Sequence, residues 1–188
     1  KKENIPSINK NVIGQLVGGG AKSMIEKAYH HLKIDIPENK MNFMITDFLD
    51  FYFQNCHIKS KLYPNVEKTL KAIKPFFKIA VCTNKKQYIT NKILQKYKIE
   101  KYFDFVLGSG PELKLKPDIA MLKHCAKKLN VETQNCMMVG DSENDIAPAN
   151  ILLMNSVFVS YGYGKLKNRL KPNFTINNFD QIIGILKN

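Results

Sequence analysis

From Ile79 to the C-terminus, short apolar runs alternate with stretches of helical periodicity, and this alternation restricts the fold more than any other feature. Ile79–Cys82 reads as a strand, followed by a helix over Lys86–Tyr97. Phe105–Leu107 precedes a helix over Asp118–Leu129 that carries Ile119, Leu122, Cys125 and Leu129 on one face. Cys136–Val139 precedes a helix over Asp145–Leu153. Val157–Val159 and Phe174–Ile176 are further short strands, and Phe179–Leu186 is a last helix. Alternation of this kind builds βαβ units around a parallel sheet. An α/β core is therefore predicted.

The first third has a different character. Lys1–Gln15 is polar and poorly periodic, and Val17–Gly20 leads into a helix over Ala21–Leu32 with Ala21, Met24, Ile25 and Ala28 apolar. A second helix is predicted over Met41–Asn55, its Phe43, Phe48, Phe51 and Tyr52 read as core packing. Everything to about Lys61 reads as helical, and Tyr63–Pro64–Asn65 is a turn signal. Beyond it Val66, Leu70 and Ile73 share a helix face. The glycines 18–20 can let backbone N–H groups approach an anion. They can equally form a hinge or a tight turn.

In open α/β sheets ligands sit beyond the carboxyl ends of the strands. Thr83 and Asn84 follow the first apolar run, Lys116 stands before the helix that opens at Asp118, and Asp141 and Asp145 follow Cys136–Val139 and Gly140. A hydroxyl, a lysine and two carboxylates suit phosphoryl transfer: the first two hold phosphate oxygens, and a carboxylate holds a cation. Magnesium is usually held by one or two carboxylates with phosphate and water. Each residue also has a plainer reading, Thr83, Asn84 and Asp141 as helix caps or turn residues and Lys116 as one of many surface lysines.

The formal net charge of +13 raises the question of a nucleic-acid partner. Arg169 is the only arginine, and the lysines are spread along the chain. Base readout and bidentate phosphate recognition lean on arginine, so no nucleic-acid partner is expected. Cys56, Cys82, Cys125 and Cys136 form no C-x-x-C pair, and His30, His31, His57 and His124 show no zinc spacing with them. Reduced thiols and a cytoplasmic location fit this pattern. No apolar run approaches the ~20 residues of a membrane span, and no signal-peptide pattern is present.

Taken together these stretches resemble the haloacid dehalogenase superfamily of phosphatases, and within it the phosphoglycolate phosphatase group. VCTN resembles the second family motif with Thr83 as the phosphate-binding hydroxyl, LKLKPD the third with Lys116, and GDSENDI the fourth with Asp141 as metal ligand and Asp145 as supporting acid. VGGGAKSMIEKA resembles the cap segment written V-G-N-G-A in that group, LYPNVEKTL its cap-to-core junction, and YGYG at Tyr161–Gly164 a loop of phosphoglycolate-type members. The resemblance implies a Rossmann-like core over residues 62–188 and a helical cap over 1–61. It also implies Mg2+-dependent hydrolysis of a small phosphorylated metabolite through an aspartyl-phosphate. Asn84, Gly19, Gly20 and Lys22 are the further positions expected to face substrate, and a monomer or homodimer is expected.

The sequence departs from the family at one important place. The first motif, D-x-D-x-T, supplies the nucleophilic and the acid/base carboxylates, and it does not occur in the 188 residues. Asp47–Phe48–Leu49–Asp50 has the wrong spacing. Lys1 aligns inside the cap, and a first residue other than Met agrees with a longer protein, so a first core strand is expected to precede it. Without that strand a phosphate-binding protein that does not turn over is the alternative. Other chemistries of the superfamily, such as a phosphomutase, are a further one. Gly19 in place of Asn, and Pro148 with Ile151–Met154 in place of an Ala-rich, Gly-ended helix, weaken the tie to phosphoglycolate itself.

Overall fold

The computed structural model describes residues 5–166 and 169–187. The first four residues of the expected cap segment lie outside that range. Three helices come first: α1 (Lys10–Leu16), α2 (Gly20–Leu32) and α3 (Met41–Asn55). After α4 (Val66–Ile73) the chain alternates through β1 (Ala80–Lys86), α5 (Gln87–Lys96), β2 (Phe105–Ser109), α6 (Ala120–Leu129), β3 (Met137–Gly140) and α7 (Glu143–Ile151). It closes with β4 (Asn155–Val159), β5 (Phe174–Ile176) and α8 (Ile182–Leu186). The molecule is α/β with parallel strands flanked by helices.

The strands fall into two parallel sheets, β1–β2 and β3–β4–β5. The apolar runs occupy the strands, where they lie half-buried or buried between helices. α6 joins the two sheets on one face. Its Leu122 and Ala126 pack with Ala149, Leu152 and Met154, and Cys82 of β1 and Met138 of β3 lie against the same cluster. On the other side Leu70 of α4 packs with Leu94, Ile99 and Tyr102, against Ile79, Val81 and Phe179.

Between the sheets runs an apolar slot of about 830 Å³. Ile79–Cys82 forms one long wall and Met137–Asp141 the other, with Leu122 and Cys125 of α6 on one broad side and Leu70 and Phe179 on the other. Main-chain groups of β1 and β3 border it without pairing with each other. A slot with two strand edges for sides and two helical layers for faces has the shape of a strand.

α1 forms in the polar, poorly periodic opening of the stretch read as helical, with Asn9 Oδ1 accepting from Asn11 N–H at its start. Two sequence expectations are corrected. The α3 aromatics are not core packing: no residue of α3 is buried, Phe43 and Phe51 are exposed, and Phe48 stacks on Tyr52. Thr83 and Asn84 lie within β1 rather than after it.

Candidate functional site

β1 and β2 pair regularly from Ala80 with Phe105 to Cys82 with Leu107, and the ladder resumes only at Lys86 with Ser109. The irregularity releases Thr83–Lys85 from the ladder. A break of this type redirects side chains at the end of a strand. Thr83 Oγ1 accepts the Lys85 N–H at 3.2 Å, which leaves the hydroxyl hydrogen for another acceptor.

Asn84 clamps the segment before α6 from both sides. Its Nδ2 donates to the Lys116 carbonyl at 2.7 Å, and its Oδ1 accepts the Lys116 N–H at 2.9 Å. The Asn84 carboxamide is thus engaged with Lys116, and its role is to set the backbone there. Lys116 is joined to Pro117 by a cis peptide bond and is 6% exposed. Its ammonium donates to the Cys82 carbonyl at 2.6 Å and to Asp145 Oδ1 at 2.6 Å. An ammonium has three N–H donors, so one remains for a further oxygen.

Asp145 spends its other oxygen on the start of α7. Oδ2 accepts the Ser142 N–H at 3.2 Å and the Ser142 hydroxyl at 2.9 Å. Gly140 is required beside it, because a Cβ at that position would run into the Asp145 carboxylate. Asp145 therefore fixes Lys116 and the start of α7 together.

Asp141 behaves differently. Oδ2 accepts the N–H groups of Tyr163 at 2.9 Å and Gly164 at 3.2 Å, and among the described residues no hydrogen bond reaches Oδ1. Among the described residues no group of three or more His, Cys, Asp and Glu side chains gathers as a cage. Magnesium takes one or two carboxylates and completes its shell with phosphate and water. One carboxylate with an open oxygen at the end of β3 is such a donor.

Glycines 18–20 are all left-handed, with φ of 107°, 77° and 89°. A Cβ on Gly20 would stand 3.1 Å from Leu115 Cδ1 and 3.9 Å from the Asn84 carbonyl, and one on Gly18 would stand 3.7 Å from Asn144 Nδ2. The loop therefore lies against both Asn84 and the segment after Asp141. Lys22 is not brought there. It pairs with Glu26 at 3.8 Å and lines an outer groove with His30 and Met41.

Two features were not anticipated from sequence. Lys85 reaches the helical layer, donating to Tyr52 Oη at 2.5 Å and lying 4.5 Å from the ring centroid. Tyr63, at the predicted turn, meets Tyr161 edge-on at 4.8 Å. Burial raises the Tyr63 phenol above its ordinary value, and Tyr163 and the Asp141 charge add to the rise. The run of four residues YGYG was the signal for the second feature, although its spacing gives no contact. Beneath the site, Cys82 and Cys125 share a thiol hydrogen bond that lowers Cys82; burial opposes the shift and Lys116 supports it.

Residues 1–159 match the family model of the haloacid dehalogenase-like hydrolases. A phosphoglycolate phosphatase of Colwellia psychrerythraea is 33% identical over all of this chain and 85% of its own length. One from Vibrio parahaemolyticus is 30% identical over 96% of this chain and 82% of its own. The crystal structure of a predicted phosphoglycolate phosphatase from Haemophilus somnus superposes with a TM-score of 0.86 at 27% identity, covering 98% of this chain and 85% of that one. A β-phosphoglucomutase of Clostridium difficile shares the fold, with a TM-score of 0.77 at 22% identity over 99% of this chain and 83% of its own.

Proposed function

Because the chain belongs to the haloacid dehalogenase-like hydrolase family, we propose that it is a magnesium-dependent phosphatase of small phosphomonoesters, with phosphoglycolate the first substrate to test. The observation that carries the reading is the convergence on Lys116. Asn84 sets its backbone, Asp145 holds its ammonium, and one N–H is left for a phosphate oxygen. Thr83 offers its hydroxyl hydrogen from the adjoining strand end. Together they bind and orient the phosphoryl group before any bond is broken.

Asp141 is the residue that would hold magnesium, with Oδ1 as its ligand atom. When bound, the cation neutralises charge on the phosphoryl oxygens. Residues 1–61 act as the cap and 62–188 as the core, with glycines 18–20 closing over the site and excluding bulk water. The leaving group is then chosen by the cap.

Hydrolysis through an aspartyl-phosphate requires a carboxylate nucleophile. We assign it to a further parallel strand of the same polypeptide that carries D-x-D-x-T and fills the slot between β1 and β3. The apolar lining and the two bordering strand edges support that assignment, since buried main-chain groups need partners. The same strand would place its carboxylates at the end of the slot where Asp141 stands. Without such a strand in the polypeptide, the second reading is a phosphate-binding protein that does not turn over.

Phosphate release separates the two. The purified protein is weighed intact against 21.6 kDa and assayed with magnesium on phosphoglycolate, sugar phosphates and nucleotides. A larger mass with hydrolysis supports the enzyme, and Thr83→Val and Asp141→Ala should then each remove most of the rate. A mass of 21.6 kDa with phosphate binding and no release supports the second reading.

A further inference from the structure

The loop after β4 does more than close the site. Tyr163 and Gly164 give their N–H groups to Asp141 Oδ2 at 2.9 and 3.2 Å. The loop also lies so close that a Cβ on Gly162 would overlap the Asp141 side chain, and one on Gly164 would overlap the Asp141 carbonyl and press on Ser142 Cβ. Asp141 is thus held from its backbone to its carboxylate by one short segment.

That segment touches the helical layer in turn. A Cβ on Gly14 of α1 would meet the Tyr163 ring edge at 3.4 Å, so α1 rests close to Tyr163. Tyr161 packs edge-on against Tyr63, which begins the turn between the α3 side of the chain and α4. The loop is therefore met by α1 at Tyr163 and by the turn before α4 at Tyr161.

We propose that Tyr161–Gly164 is a positioning segment: its N–H groups hold one oxygen of Asp141 and leave the other for the cation, and its tyrosines tie this geometry to the seat of the helical layer. The inference rests on Asp141 being the metal ligand. Its consequence is that metal affinity depends on residues that never touch the metal. Partners behind a ligand commonly govern affinity in this way.

The test is magnesium titration of the intact protein by calorimetry, with circular dichroism as the control for folding. Gly162→Ala should weaken binding about tenfold or more, because the new methyl displaces the carboxylate it is meant to steady. Tyr163→Ala keeps the N–H donor and removes the ring, and it should weaken binding several-fold; it decides the matter if Gly162→Ala does not fold. Parent-like affinity in a folded Gly162→Ala, or in Tyr163→Ala where the first variant is unfolded, overturns the proposal. Asp141→Ala is the separating control. If it binds magnesium like the parent, or the parent binds none, the metal reading itself falls.

Discussion

Lys116 and Asp145 are both nearly buried, so the pair is costly to desolvate and more costly to break. Lys116→Met would leave the Asp145 carboxylate without its cation. We expect a loss of about 3–5 kcal/mol in urea unfolding together with lost phosphate binding, and near-parental stability would mean that the pair is not the site's anchor. Asp104 gives a second residue-level test. The Lys74 ammonium and the Ile79 N–H beside it lower its carboxyl below the ordinary 3.8. A depressed folded-state pKa adds stability above the unfolded-state value, and that contribution is lost as the pH falls through the folded-state value. Asp104→Asn should therefore be less stable than the parent at neutral pH, with the difference fading in acid; a difference that grows in acid would contradict the assignment. The placement of Asp141 and Asp145 beyond β3 was legible in the sequence, because the end of an apolar strand fixes where a side chain stands. Lys22 was not, since its spacing cannot tell a turn toward substrate from a pairing with Glu26 one helical turn on.

The strands and helices after Ile79 were legible for a related reason: each is at least partly buried, and burial writes an apolar pattern into the sequence. α1 lacked that signature. Ile13 is 45% exposed and Gly14 interrupts its middle, so neither pattern nor propensity marks it. α1 is capped by Asn9, lies against α2 and comes close to Tyr163. The α3 aromatics misled in the opposite direction, because an aromatic-rich helix reads as core until its exposure is known. A prediction belongs to α1. Gly14→Ala places its methyl 3.4 Å from Tyr163, an ordinary contact, and gains helix propensity of about 0.5–1 kcal/mol. The melting temperature should rise by up to about 2–4 °C. A fall would mean that α1 needs the closer approach glycine allows.

At the scale of the molecule, the two sheets share a helical layer and differ in what they lack. α6 packs against both, yet β1 and β3 each present an edge to the slot and each stops short of the other. An exposed edge with apolar walls is a hazard for a soluble chain, and a single inserted strand would remove both edges and cover the walls at once. The charge does not change this picture, because it is carried by lysines dispersed along the chain, and the lining of the slot is mainly apolar, with Lys78 at its border. The 188-residue polypeptide prepared alone should accordingly bind the dye ANS strongly, as proteins with open apolar surface do, and its β1 and β3 amides should exchange rapidly. A form extended by a D-x-D-x-T strand should bind little dye and protect those amides. If the 188 residues alone bind no dye and protect both strands, the slot closes on itself. The nucleophile would then have to come from elsewhere, and the binding reading would gain over the phosphatase.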